Sequence, residues 1–225
     1  MSATHSHLDE ELQVLKTDVL NMWKLVRLQL EKGKEALINF DKDLARQVVA
    51  AEKRVNAYEL KIDRDCENIF ALFSPVAIDL RFVLAILKIN SNLERIGDIA
   101  EGIARFVIDI DTRFEQNLLN IAKIMEMFEI SDSMLQEAAN AFEQEDTKLA
   151  RTLFKKDEKV DEINNNASYV IVDYIKAHPD NIRESLHILS MIRKLERVGD
   201  QTKNIAEEII FYVEAKVLKH KEPNQ

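Results

Sequence analysis

Turn-forming residues are scarce in this chain, with 4 glycines and 3 prolines in 225 residues. Together they make up about 3% of the chain, against about 12% in a typical globular protein. So few leave little room for hairpins, which excludes a sheet protein and points to an all-α one. There is one cysteine, Cys66, so no internal disulfide can form. Its expected role is a small buried side chain on a helix. No apolar run approaches the ~18–20 residues of a membrane span. The opening residues MSATHSH lack the basic-then-apolar order of a signal peptide. A soluble, cytoplasmic protein is expected from these absences. The net charge of −9 repels phosphate backbones and argues against nucleic acid as a partner.

What is present suits long amphipathic helices, with 32% charged and 46% hydrophobic residues. Leu8, Leu12, Leu15, Val19, Met22 and Val26 step by four and three, the seam of a helical bundle. This spacing predicts a first helix from Leu8 to Phe40, with Gly33 as a candidate kink or early end. Asp41 or Asp43 is placed to cap a second helix that runs to Phe73, where Ser74-Pro75 breaks it. A third helix, Val76 to Ile110, has the most regular seam, through Ile86, Ile89, Leu93, Ile96, Ala100 and Ile103. The plan then repeats. Helices are expected from Phe114 to Glu143, from Asp146 to Ala177 and from Asn181 to Lys219, with His178-Pro179 as the second break.

The repeat can be registered. LERIGD at 93–98 returns as LERVGD at 195–200, an offset of 102, while residues 43–46 match 148–151 at an offset of 105. A repeat of this length implies a duplicated three-helix unit. The expected architecture is two tandem pseudo-symmetric three-helix bundles, six long helices in all, with units at 8–110 and 114–219.

Glu94 and Asp98 stand four apart, so their carboxylates share one helical face, as do those of Glu196 and Asp200. With Leu93 and Ile96 on the seam, both acids fall just off it, toward the outside of the bundle. Gly97 and Gly199 are unexpected in long helices, because each costs about 1 kcal/mol relative to alanine. Something must approach the backbone there, either a neighbouring helix or ions between the carboxylates. The helices before the hexapeptides add more acids. Glu52 and Asn56 match Asp157 and Asp161, and Glu59 and Asp63 form another four-apart pair. All read as flanking positions, giving each repeat an acidic outer patch. Such all-oxygen sets suit hard ions such as Mg²⁺, Ca²⁺, Mn²⁺ or iron. The competing reading is a solvated charged face. For Arg95 and Arg197 beside the acids, and for Arg81 and Arg183 early in their helices, surface salt bridges of small worth are expected.

LERIGDIAEGIA (93–104) and LERVGDQTKNIAEEIIF (195–211), each closing a three-helix repeat, resemble the PhoU family of regulators of bacterial phosphate uptake. SPVAIDLR (74–81) and the Glu59–Asp63 pair are in the same style. The resemblance implies a non-enzyme, a negative regulator of phosphate-starvation signalling. It implies an adaptor between the ATPase subunit of a phosphate ABC transporter and a sensor histidine kinase, held at the membrane through those partners. A homodimer is also expected. It further implies a multinuclear cluster of iron or another divalent metal in each repeat. Carried onto this chain, its ligands would be Glu94, Asp98, Glu196, Asp200, Asp157 and Asp161, with Glu52, Glu59 or Asp63. Asn56 departs from the acidic pattern. A related helical adaptor for another phosphate carrier is the alternative. A di-iron carboxylate enzyme needs two Glu-x-x-His elements, and only Glu184 and His187 supply one.

Overall fold

The computed structural model describes residues 7–218. It contains α1 (His7–Asn39), α2 (Lys42–Phe73) and α3 (Ala77–Asp109), which pack together as a first bundle. A short α4 (Gln116–Ile121) leads into α5 (Ile124–Gln144), α6 (Thr147–Ala177) and α7 (Ile182–Glu214), the second bundle. A single 3₁₀ turn, Pro179–Asn181, sits between α6 and α7. The long helices of 31–33 residues extend about 45–50 Å each.

Local chemistry sets the starts. The Asp41 carboxylate accepts the backbone N–H groups of Asp43 and Leu44 at 3.0 and 2.9 Å. Asp146 repeats the arrangement with Lys148 and Leu149 at 2.9 and 3.0 Å. At the first proline break Ser74 turns left-handed, with φ 47°. Gly33 does not end α1, which continues to Asn39.

Two expected helices are corrected. The span 114–143 is not one helix: Lys123 adopts φ 52° and separates α4 from α5. The break turns the chain so that Leu118, Leu119, Ala122 and Ile124 are buried, while Ile121 on the expected seam is left exposed. The last helix stops at Glu214, capped by a left-handed Ala215 at φ 56°, and does not reach 219. Lys219 itself lies outside the described residues.

The two bundles share one core. α3 packs antiparallel to α7, and α1 packs on α5. Along the α3–α7 contact, Lys88 pairs with Glu208 at 3.0 Å and Phe106 meets His187 with ring centroids 5.1 Å apart. On the α1–α5 contact, Arg27 grips Asp132 through two bonds of 2.6 and 3.0 Å. Trp23 stacks on Phe142 at 6.0 Å and donates its ring N–H to the Leu135 carbonyl at 3.1 Å.

Cys66 is wholly buried in α2, and burial pushes its thiol pKa up to about 12. The thiolate is the reactive form. The folded protein is therefore expected to resist a thiol-labelling reagent at neutral pH and to react fully once unfolded. Fast labelling of the native chain would contradict its placement.

A candidate acidic site in each repeat

Both hexapeptides lie at mid-helix, one on α3 and one on α7, with their core residues Leu93, Ile96, Leu195 and Val198 fully buried. The antiparallel contact brings them side by side: Arg95, Asp98, Ile99, Glu101, Lys194 and Arg197 line one polar pocket of about 290 Å³. Arg95 and Arg197 make no ion pair among the described residues. Of the other expected surface bridges, Arg183 reaches Asp111 at 3.3 Å and Arg81 reaches the Tyr212 carbonyl at 3.4 Å.

The structure explains the glycines. A Cβ on Gly97 would lie 3.0 Å from Glu52 Oε2, 3.2 Å from Val55 Cγ1 and 3.4 Å from Gln29 Oε1. A Cβ on Gly199 would lie 2.8 Å from Asp157 Oδ1. Each glycine is the space into which the preceding long helix inserts a carboxylate. Glu52 and Asp157 are therefore not outward flanking acids, as heptad position indicates. They are 5% and 3% exposed. The missing side chain lets a boundary position become an interior one.

The remaining predicted residues stay nearer the surface. Asp98 is exposed; Glu94, Glu59, Asp63, Glu196, Asp200 and Asp161 are half-buried. Burial pushes the Glu94 carboxyl up, helped by Asp98 and Glu59. Burial likewise raises Glu59, with Asp63 and Asp98 adding to it, and raises Glu196, with Asp200, Asp161 and Asp157 adding to it. These couplings group the acids into two clusters, one per repeat. Within neither, among the described residues, do three acidic, histidine or cysteine side chains close on one point. Glu184 and His187 do not form an ion site either: Glu184 accepts from Thr112 at 3.4 Å, while His187 lies on Phe106.

Three residues that the pattern reading missed complete the clusters. Gln29, 2% exposed on α1, donates to Glu52 Oε2 at 2.9 Å. Asn90, fully buried on α3, donates to Asp63 at 2.8 Å and to the Glu59 carbonyl at 3.0 Å. Lys203 on α7 pairs with Asp157 and, at 3.1 Å, with Asp200. A polar residue on an apolar seam was the available signal for Gln29 and Asn90. For Lys203 it was a cation three residues after Asp200.

The two clusters differ in how the buried carboxylate is satisfied. Each keeps one oxygen without a partner, Glu52 Oε1 and Asp157 Oδ1, but on its other oxygen Glu52 has only the neutral Gln29 amide. Burial drives its pKa to about 7; the Gln29 bond opposes this, while Asp98, Glu101 and Glu94 add to it. Burial also raises Asp157, but Lys203 opposes it directly. Burial works against the Lys203 ammonium, yet Asp157 and Asp200 outweigh that and hold its pKa above the ordinary lysine value. The first cluster offers only oxygen donors, the type that hard cations take, with its carboxylates not drawn together on one point. In the second an ammonium is already seated among the acids.

The Glu52 shift has a definite pH signature. A carboxyl whose folded pKa is raised contributes stability that is fully present below 4.5 and lost as pH rises through about 7. Glu52→Gln mimics the protonated form. In metal-free buffer it is expected to melt higher than the wild type at a pH of about 8, by up to about 3 kcal/mol, with the gap closing toward a pH of about 4. Equal melting temperatures at both pH values would contradict the burial of an ionised Glu52.

Comparison with known proteins shows the same doubled organisation. The PhoU domain family matches twice, over residues 19–107 and 124–209. The phosphate-specific transport system accessory protein PhoU of Edwardsiella tarda is 35% identical over 217 residues, covering 96% of this chain and 88% of its own. The PhoU homolog of Aquifex aeolicus is 35% identical over 213 residues, covering 95% and 96%. The crystal structure of PhoU from Pseudomonas aeruginosa superposes with a TM-score of 0.85 at 33% identity, covering 93% of this chain and all (100%) of that one.

Proposed function

The chain belongs to the PhoU family, and on that premise we propose that it is a negative regulator of phosphate uptake. Its relatives are named as accessory proteins of phosphate-specific transport, and the chain is not an enzyme. The observation that carries the reading is the doubled family match, with a hexapeptide in each half and the two meeting at the centre of the α3–α7 contact. Among the described residues no helix is long and apolar enough to cross a membrane. The proposed adaptor therefore reaches the membrane through its partners: the ATPase subunit of a phosphate ABC transporter and a sensor histidine kinase, on the cytoplasmic side and as a homodimer. A hard divalent cation is proposed for the first cluster, held by Glu52, Glu94 and Asp98 with Glu59 or Asp63. Its contribution is to neutralise carboxylates that otherwise repel one another.

Co-purification from membranes tests the adaptor. Tagged protein is expected to retain both the transporter ATPase and the kinase. Retention of an unrelated phosphate carrier in their place would favour the alternative adaptor, and retention of neither would contradict the proposal.

A further inference from the structure

The two acidic clusters are related by the repeat, yet the first carries more acids and the second has an ammonium seated among fewer. At the offset of 102 that aligns the hexapeptides, Lys203 corresponds to Glu101. At the offset of 105 that aligns Glu52 with Asp157, Glu59 and Asp63 correspond to Asn164 and Ser168. The first cluster thus gathers Glu52, Glu59, Asp63, Glu94, Asp98 and Glu101; Lys194 of α7 lines the pocket beside Asp98 and Glu101 but forms no ion pair with them among the described residues. The second gathers Asp157, Asp161, Glu196 and Asp200 around Lys203. The flanking arginines, Arg95 and Arg197, are matched and cancel from the comparison.

Geometry shows what the lysine does. Lys203 bonds at once to the buried Asp157, which fills the space at Gly199, and to Asp200 of the hexapeptide. It therefore bridges the same two helices, α6 and α7, and the same two kinds of acid that a cation would join. Glu101 cannot act this way, and its carboxylate is instead held by Arg105 at 2.6 Å. Both buried carboxylates keep one unpartnered oxygen, but Asp157 has the Lys203 counter-charge on its other oxygen and Glu52 has only the neutral Gln29 amide. A buried carboxylate without a counter-charge is costly, and an ammonium or a metal ion removes that cost. An ammonium brings charge and three donors but no open coordination position.

We propose that Lys203 is a tethered cation occupying the second acidic site, so that only the first repeat is open to a divalent metal ion. The first half of this statement stands on the Lys203 contacts alone. The second half rests on the cation reading of the first cluster.

Reciprocal swaps separate the two halves. Metal-stripped protein is melted with and without Mn²⁺, and bound Mn²⁺ per chain is measured by equilibrium dialysis. Lys203→Glu is expected to melt lower than the wild type without metal, to recover with Mn²⁺, and to bind more Mn²⁺ than the wild type. Glu101→Lys is expected to melt higher than the wild type without metal and to bind less Mn²⁺. If Lys203→Glu does not fold, Lys203→Gln, which keeps a donor without the charge, is read in the same way. No gain of Mn²⁺ on removing the Lys203 charge would overturn the tethered-cation assignment. A wild type that binds no Mn²⁺ would overturn the first-site reading, while the Lys203 variants would still decide the role of Lys203.

Discussion

Trp23→Ala is expected to destabilise the protein by about 3–5 kcal/mol, the range for emptying a large aromatic site in a packed core. Trp23 is 1% exposed, stacked on Phe142, and bonded to the Leu135 carbonyl across the α1–α5 contact. Losing it opens a cavity and removes the indole bond to the Leu135 carbonyl. Because the site lies between the bundles, the damage is shared. Thermal unfolding followed by circular dichroism is expected to remain a single transition at a lower temperature. Two separated transitions, one unshifted, would mean that the repeats are independent folding units.

The glycines give the second large effect, and its sign changes with position. Gly33→Ala is expected to stabilise by up to about 1 kcal/mol through helix propensity. The nearest atom to its added Cβ is the Ala100 carbonyl oxygen at 4.0 Å, an ordinary contact. Gly97→Ala gains the same propensity but drives a methyl to 3.0 Å from a buried carboxylate and 3.2 Å from a stiff valine. Overpacking of this kind costs about 1–3 kcal/mol, so the net effect is expected to be destabilising. The pair is read by chemical denaturation. Equal stabilisation by both substitutions would show that no carboxylate sits beneath Gly97.

The long helices and their grouping into two repeats were readable because the apolar steps of three and four are regular and Pro75 and Pro179 punctuate them. The break at 122–123 carries neither glycine nor proline, and the apolar pattern runs through it. Only the need to bury Leu119 and Ala122 while Ile121 turns outward reveals it. At the site, the hexapeptides and their partner acids were legible from spacing and repetition. Burial of Glu52 and Asp157 was not. Heptad position treats helices as uniform cylinders, whereas glycine lets one helix push a carboxylate into another. The partners Gln29 and Lys203 come from helix approach, which spacing along one helix does not encode.

The regulatory role is tested most directly by a clean deletion, with a phosphate-starvation reporter read in phosphate-rich medium. The reporter is expected to be switched on without the protein and silenced again when the gene is restored. Normal repression in the deletion strain would contradict the proposed function.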